Sequence, residues 1–167
     1  CDVAVDVGAN AGWHTVYMGH IVGERGHVLA FEPGSNTLDR LASNVALNGL
    51  FNVTIVDQPA SSEAGEVTLW LNSDNSGGNA LWDPADWPGP HNPKSKENPQ
   101  PVAMEATTLD IEMRRHPRVR SVRLIKIDTE GADQRVLEGA KGLLEHQRPD
   151  FIVTEVHEFG LDKLGCS

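Results

Sequence analysis

Residues 5–15, V-D-V-G-A-N-A-G-W-H-T, read as an apolar strand that runs into a glycine-rich turn and then a helix. Strand, glycine turn and helix in that order open a nucleotide-binding crossover, so the fold follows from this stretch and the ligand from the details of its turn. A phosphate loop needs a Lys after its last glycine, and Gly8 to Thr15 contains none. A dinucleotide turn, G-x-G-x-x-G, uses its second glycine to let a pyrophosphate approach the backbone, and here Asn10 stands in that place between Gly8 and Gly12. Asp6, just ahead of the turn, would repel a diphosphate and attract the ammonium and sulfonium of S-adenosylmethionine.

Outward from this stretch, the apolar runs HVLAFEP, NVTIVD, VRLIKID and DFIVTEV alternate with segments of helical period at 13–22, 37–48 and 133–146. That alternation predicts an α/β fold, a doubly wound, mostly parallel sheet with helices on both faces, in a single domain over residues 1–167. Residues 65–72, GEVTLWLN, alternate apolar and polar and are expected to add a half-buried strand at the sheet edge. Between Asp83 and Pro101 lie six of the ten prolines, which predicts an irregular loop, either a lid over the acceptor, with Trp82 and Trp87 needing cover, or a disordered insert.

A net charge of −10 argues against a nucleic-acid surface and for a small-molecule acceptor. The cluster Arg114, Arg115, Arg118, Arg120 and Arg123 precedes a strand and is expected at the far edge of the sheet, as a solvated face. The apolar runs are too short to span a bilayer, no signal peptide is visible, and Cys1 and Cys166 lack metal spacing, so a reduced, cytoplasmic protein is expected.

Every predicted parallel strand finishes on an acid: Asp6, Glu32, Asp57, Asp128 and Glu155. Ligands of open α/β sheets bind outside the carboxyl ends of the strands, so these acids are expected around one crevice, against the alternative that some only cap helices. Glu32, 24 residues after Gly8, is placed to accept both ribose hydroxyls, and Asp57 to accept from an adenine amine or to cap its own loop.

V-D-V-G-A-N-A-G at 5–12, F-E-P at 31–33, T-L-D at 108–110, L-I-K-I-D-T-E-G-A-D at 124–133, V-L-E-G-A at 136–140 and P-D-F-I-V-T-E-V-H at 149–157 together resemble the FkbM family of S-adenosylmethionine-dependent methyltransferases. The resemblance implies a Rossmann-like methyltransferase that transfers a methyl group to a hydroxyl oxygen of a sugar or other small natural product. It implies that Asp6, Gly8, Asn10 and Gly12 line the methionine end of the cofactor and that Glu32 holds the ribose. Aligning the acceptor and removing its proton are then the tasks of the site. His157 or Asp128 is the expected proton handler, with Glu130 and Glu155 orienting the acceptor or, as a lesser alternative, holding a divalent metal. His157 also reads as a plain helix start.

Methyltransferases of this fold carry two further strands, which the chain is expected to lack; this and the absent initiator Met suggest a fragment, with an exposed last strand open to homodimer pairing. Two other functions stay open. A nicotinamide-dependent oxidoreductase shares the turn and the ribose acid but lacks a Tyr-x-x-x-Lys pair, since Tyr17 is the sole tyrosine and Ile21 follows it. A truncated cofactor-binding module without activity is the other.

Overall fold

The computed structural model, which describes residues 2–72, 76–86, 99–116 and 121–166, brings the five apolar runs into one sheet. In chain order the strands are β1 (Val3–Val7), β2 (His27–Phe31), β3 (Val53–Val56), β4 (Gly65–Leu71), β5 (Gln100–Ala106), β6 (Val122–Ile127) and β7 (Phe151–Thr154). The main sheet has the order β3-β2-β1-β6-β7, with every neighbouring pair parallel. The chain builds outward from β1 to β3 and then returns to β6 on the other side of β1. This reversal opens a crevice at the carboxyl ends of β1 and β6.

Both faces of β1 are covered, which is why all five of its residues are buried. Val3, Val5 and Val7 point with Leu29, Phe31, Ile125 and Ile127 into a core closed by Leu109, Val136 and Leu143. On the opposite face Ala4 and Val28 meet Met18 of α1 (Trp13–Val22), while Ala30 meets Leu41 and Val45 of α2 (Ser35–Leu47). Asp6 shares this second face, and it accepts a hydrogen bond from Thr15 Oγ1 of α1 at 2.6 Å.

Three details depart from the sequence expectations. Residues 65–71 do not extend the main sheet: β4 pairs antiparallel with β5 over seven residues as a separate two-stranded sheet. Pro101 is tolerated in β5, a strand paired on one side among the described residues, and the loop expected from Asp83 to Pro101 runs into its first two residues. The helix expected over 133–146 is two helices, α4 (Asp133–Glu138) and α5 (Lys141–Gln147), preceded by an unanticipated α3 (Leu109–Arg115). The break has a cause in α3, since Asp110 N–H donates to Gly139 O and the Asp110 carboxylate accepts from Gly142 N and Leu143 N, each at 2.8 Å. Thr108 caps α3 in turn, its side chain accepting from Ile111 N at 3.1 Å. The T-L-D motif is thus a double helix cap.

A last helix, α6 (Glu158–Lys163), follows β7, whose Phe151, Ile152 and Val153 are exposed. Arg123 lies at the amino end of β6, on Asp150 at 2.6 Å and Asp2 at 3.3 Å, away from the crevice as expected. Arg114 and Arg115 belong to α3, whereas Cys1, Arg118, Arg120, Trp87 and most of the proline-rich loop lie outside the described residues. Cys166 is a free, buried thiol. Among the described residues no helix is long and apolar enough to cross a membrane.

Candidate active site

The turn after β1 is shaped by its contact with β6. Gly8 has φ +77°, and a Cβ there would lie 1.9 Å from Asp128 O, so no other residue fits without moving one strand end. Gly8 N and Ala9 N both donate to Phe31 O, at 3.1 and 2.9 Å, which binds the turn to the end of β2 as well.

Glu32, just past β2, is the hub of this corner. Its Oε2 accepts from Asn10 N at 2.7 Å, and its Oε1 accepts from Gly34 N at 2.8 Å and Thr37 Oγ1 at 2.7 Å. The side chain therefore joins the glycine turn to the start of α2. Burial pushes its carboxyl above the ordinary range, against the lowering effect of Thr37, Gly34, Asn10 and the Lys126 charge. Two carboxylate oxygens offer about four acceptor positions, of which these three donors leave one for a ligand.

The D-T-E-G-A-D run forms the opposite wall. Asp133 Oδ2 accepts from Gly131 N at 3.2 Å and its Oδ1 from Thr154 Oγ1 at 3.1 Å, which ties this loop to β7. Gly131, at φ +100°, lies where a Cβ would come within 2.5 Å of Gly160 Cα, so α6 sits directly on the loop. Asp128, Glu130 and Glu155 each bring a carboxylate oxygen within 4.8 Å of the others. Trp82 Nε1 donates to Glu130 O at 2.7 Å, and its ring stacks on His157 with centroids 5.7 Å apart and on the edge of Phe159 at 5.2 Å.

These walls enclose a cavity of about 240 Å³. Gly8, Asn10, Glu32, Asp128, Glu130 and Glu155 line it. Asp6, Gly12, Asp57 and His157 do not. Asp6 is fully buried behind the turn, Gly12 starts α1 at φ +87°, and Asp57 is exposed beyond β3 while Pro59 and Ala60 take the wall. His157 caps α6 by accepting from Gly160 N on Nδ1 at 2.9 Å, and its Nε2 is 3.8 Å from Glu130 Oε2.

Several site residues escaped the sequence reading. Asn79, Ala80 and Leu81 form a wall because Ala80 bridges to Trp70 of β4 and the Asn79 side chain joins Asn72 N to Asn36. Thr129 lines the cavity with a buried Oγ1 that has no hydrogen-bond partner among the described residues. Lys126 reaches Gly8 O at 2.8 Å. A charged residue inside the apolar run V-R-L-I-K-I was the available signal for it, since a buried ammonium requires partners.

One acceptor position on Glu32 and the Thr129 hydroxyl, unpartnered among the described residues, can meet hydroxyl and amine groups, and among the described residues no Lys or Arg lines the cavity. A doubly wound parallel sheet with a glycine turn after β1 and an acid after β2 is the frame of the nucleotide-binding α/β class. The chain belongs to the FkbM methyltransferase family: the Methyltransferase FkbM domain matches residues 6–165. Among solved structures it is similar to a methyltransferase FkbM from Methylobacillus flagellatus, with TM-score 0.62 and 16% identity over 99% of this chain and 36% of that one. The chain thus spans about a third of that protein, and the likeness establishes the fold. A candidate rRNA methylase from Clostridium thermocellum matches over 35% of this chain and 32% of its own at 24% identity, with a TM-score of 0.34 that bears on nothing here. No curated protein matches the chain.

Proposed function

We propose that this domain binds S-adenosylmethionine at the carboxyl ends of β1, β2 and β6 and directs methyl transfer to a hydroxyl oxygen of a neutral sugar or other small natural product. The observation that carries the reading is Glu32, a buried carboxylate on the cavity wall that also holds the glycine turn through Asn10 N. Glu32 and the turn would hold the cofactor, whose sulfonium supplies an electrophilic methyl carbon when bound.

The remaining acids work on the acceptor. Asp128, Glu130 and Glu155 converge on the cavity from the ends of β6 and β7, where they can accept hydrogen bonds from hydroxyls and fix one oxygen in line. Of the two candidate proton handlers, the geometry favours Asp128. The Nδ1 lone pair of His157 is already used on Gly160 N–H, so a neutral ring carries its proton on Nε2 and has no free lone pair to serve as a base. His157 instead supports Glu130. A wall rich in carboxylates repels phosphorylated or carboxylated acceptors, so an uncharged polyol fits best.

The test is a methyl-transfer screen across neutral hydroxylated acceptors and their phosphorylated counterparts. Transfer to a neutral member, and none to its phosphate, supports the reading. Binding of the cofactor with no transfer to any acceptor would reduce the domain to a binding module.

A further inference from the structure

Lys126 stands out among the side chains of the main sheet. It is a buried ammonium, 8% exposed, on the same sheet face as Asp6 and directly across the β1–β6 ladder from it, since Asp6 and Lys126 are register partners. Its Nζ donates to Gly8 O at 2.8 Å and lies 3.2 Å from Asp6 Oδ1 and 3.5 Å from Asp128 Oδ2. One cation therefore touches the glycine turn, the acid before it and the acid at the mouth of the next strand.

We propose that Lys126 is the positioning residue of the crevice, fixing the glycine turn through Gly8 O and holding the Asp6–Lys126–Asp128 group at one net negative charge. The inference rests on the methyl-donor reading above. Two carboxylates and one ammonium sum to −1, and losing the ammonium makes a crevice already lined by Glu32, Glu130 and Glu155 one charge more negative. Without the ammonium, Asp6 and Asp128 face the same turn with two uncompensated charges, and the turn loses the side-chain anchor that β6 gives it. A ligand that is cationic and its demethylated, uncharged product are then held with a different balance, because the removed charge acts on one and not on the other.

A purely structural lysine would weaken both ligands together. The test is therefore a ratio. Binding of S-adenosylmethionine and of S-adenosylhomocysteine is measured by calorimetry at pH 8 for the wild-type chain and for Lys126→Met, Lys126→Gln and Lys126→Arg. Gln keeps an N–H donor for Gly8 O without the charge, and it serves where Met fails to fold. The neutral variants should bind S-adenosylhomocysteine about 10-fold more weakly and shift the preference toward the cationic ligand by about 5-fold, the scale of one charge acting across several ångströms. Lys126→Arg should return the wild-type ratio. An unchanged ratio in Lys126→Gln, whether both affinities stay or fall together, would overturn the proposal while leaving the cofactor assignment intact. Failure of the wild-type chain to bind either ligand overturns both.

Discussion

The carboxylate of Glu32 accepts the backbone N–H of Asn10 at 2.7 Å, so the acid that ends β2 fixes the turn that ends β1. The two halves of the cofactor corner are one hydrogen-bonded unit. Removing the carboxylate in Glu32→Ala leaves Asn10 N and Gly34 N without their acceptor and Thr37 Oγ1 with Gly34 O alone. Charge-assisted hydrogen bonds contribute about 1.5–3 kcal/mol each, so S-adenosylhomocysteine affinity should fall by at least 10-fold. Calorimetry on the variant checks this, with circular dichroism showing that the sheet persists.

The same residue couples binding to pH. Burial first of all raises the Glu32 carboxyl above its ordinary value of 4.5, so the folded chain binds a proton there that the unfolded chain has released. Its contribution to stability is complete below that value and is lost as pH rises through the raised one. Cofactor affinity should run the opposite way, since a ribose hydroxyl donates to the ionised carboxylate. Over this window the ligand-free melting temperature is expected to drop while affinity climbs, and Glu32→Ala should flatten both trends.

His27 gives a second, opposite dependence. Burial, and after it the charge of His116, lowers its pKa below 6.5, and its Nε2 lies 2.9 Å from Thr54 Oγ1. Stability from the neutral ring is present above 6.5 and is lost as pH falls through the lowered value. Thermal melts between pH 7.5 and 5 should show this loss, and His27→Gln should reduce it.

Asp110 stabilises α5 from outside that helix. Asp110→Ala removes the acceptor for Gly142 N and Leu143 N and should cost about 1 kcal/mol, the usual scale of a lost cap, lowering the melting temperature by about 2–4 °C. Unchanged melting would show that water replaces the cap.

For chemistry, Asp128→Asn should reduce methyl transfer by about 10²- to 10⁴-fold, the range of general-base contributions, with affinity for the net-neutral S-adenosylhomocysteine little changed. His157→Ala should cost less, because its loss acts through Glu130 and the start of α6. The reverse ranking would place the proton on His157.

The parallel sheet was legible because each of its strands carries an apolar run, which burial on both faces requires of β1 and β2. The crossover helices showed through their helical period, with 13–22 matching α1 at both ends between Gly12 and Gly23, although its apolar Trp13, Tyr17 and Ile21 face solvent and Thr15, Met18 and Gly19 are the buried residues. What stayed hidden depends on tertiary contacts. The break at Gly139 comes from Asp110, some thirty residues earlier, and β5 forms only because β4 offers it a partner. At the site, strand-end position located Glu32, Asp128 and Glu155, since an acid after an apolar run is visible in one dimension. Position alone could not separate these from Asp57, which is at a strand end and yet faces solvent, because β3 is the outer strand and Pro59 and Ala60 turn the chain inward beyond it.

The most direct test of the account is calorimetric titration of the wild-type domain with S-adenosylhomocysteine and, separately, with NADH. The account predicts a micromolar dissociation constant for the first, about −8 kcal/mol, and no heat from the second. Binding of NADH with none of S-adenosylhomocysteine or S-adenosylmethionine would contradict it.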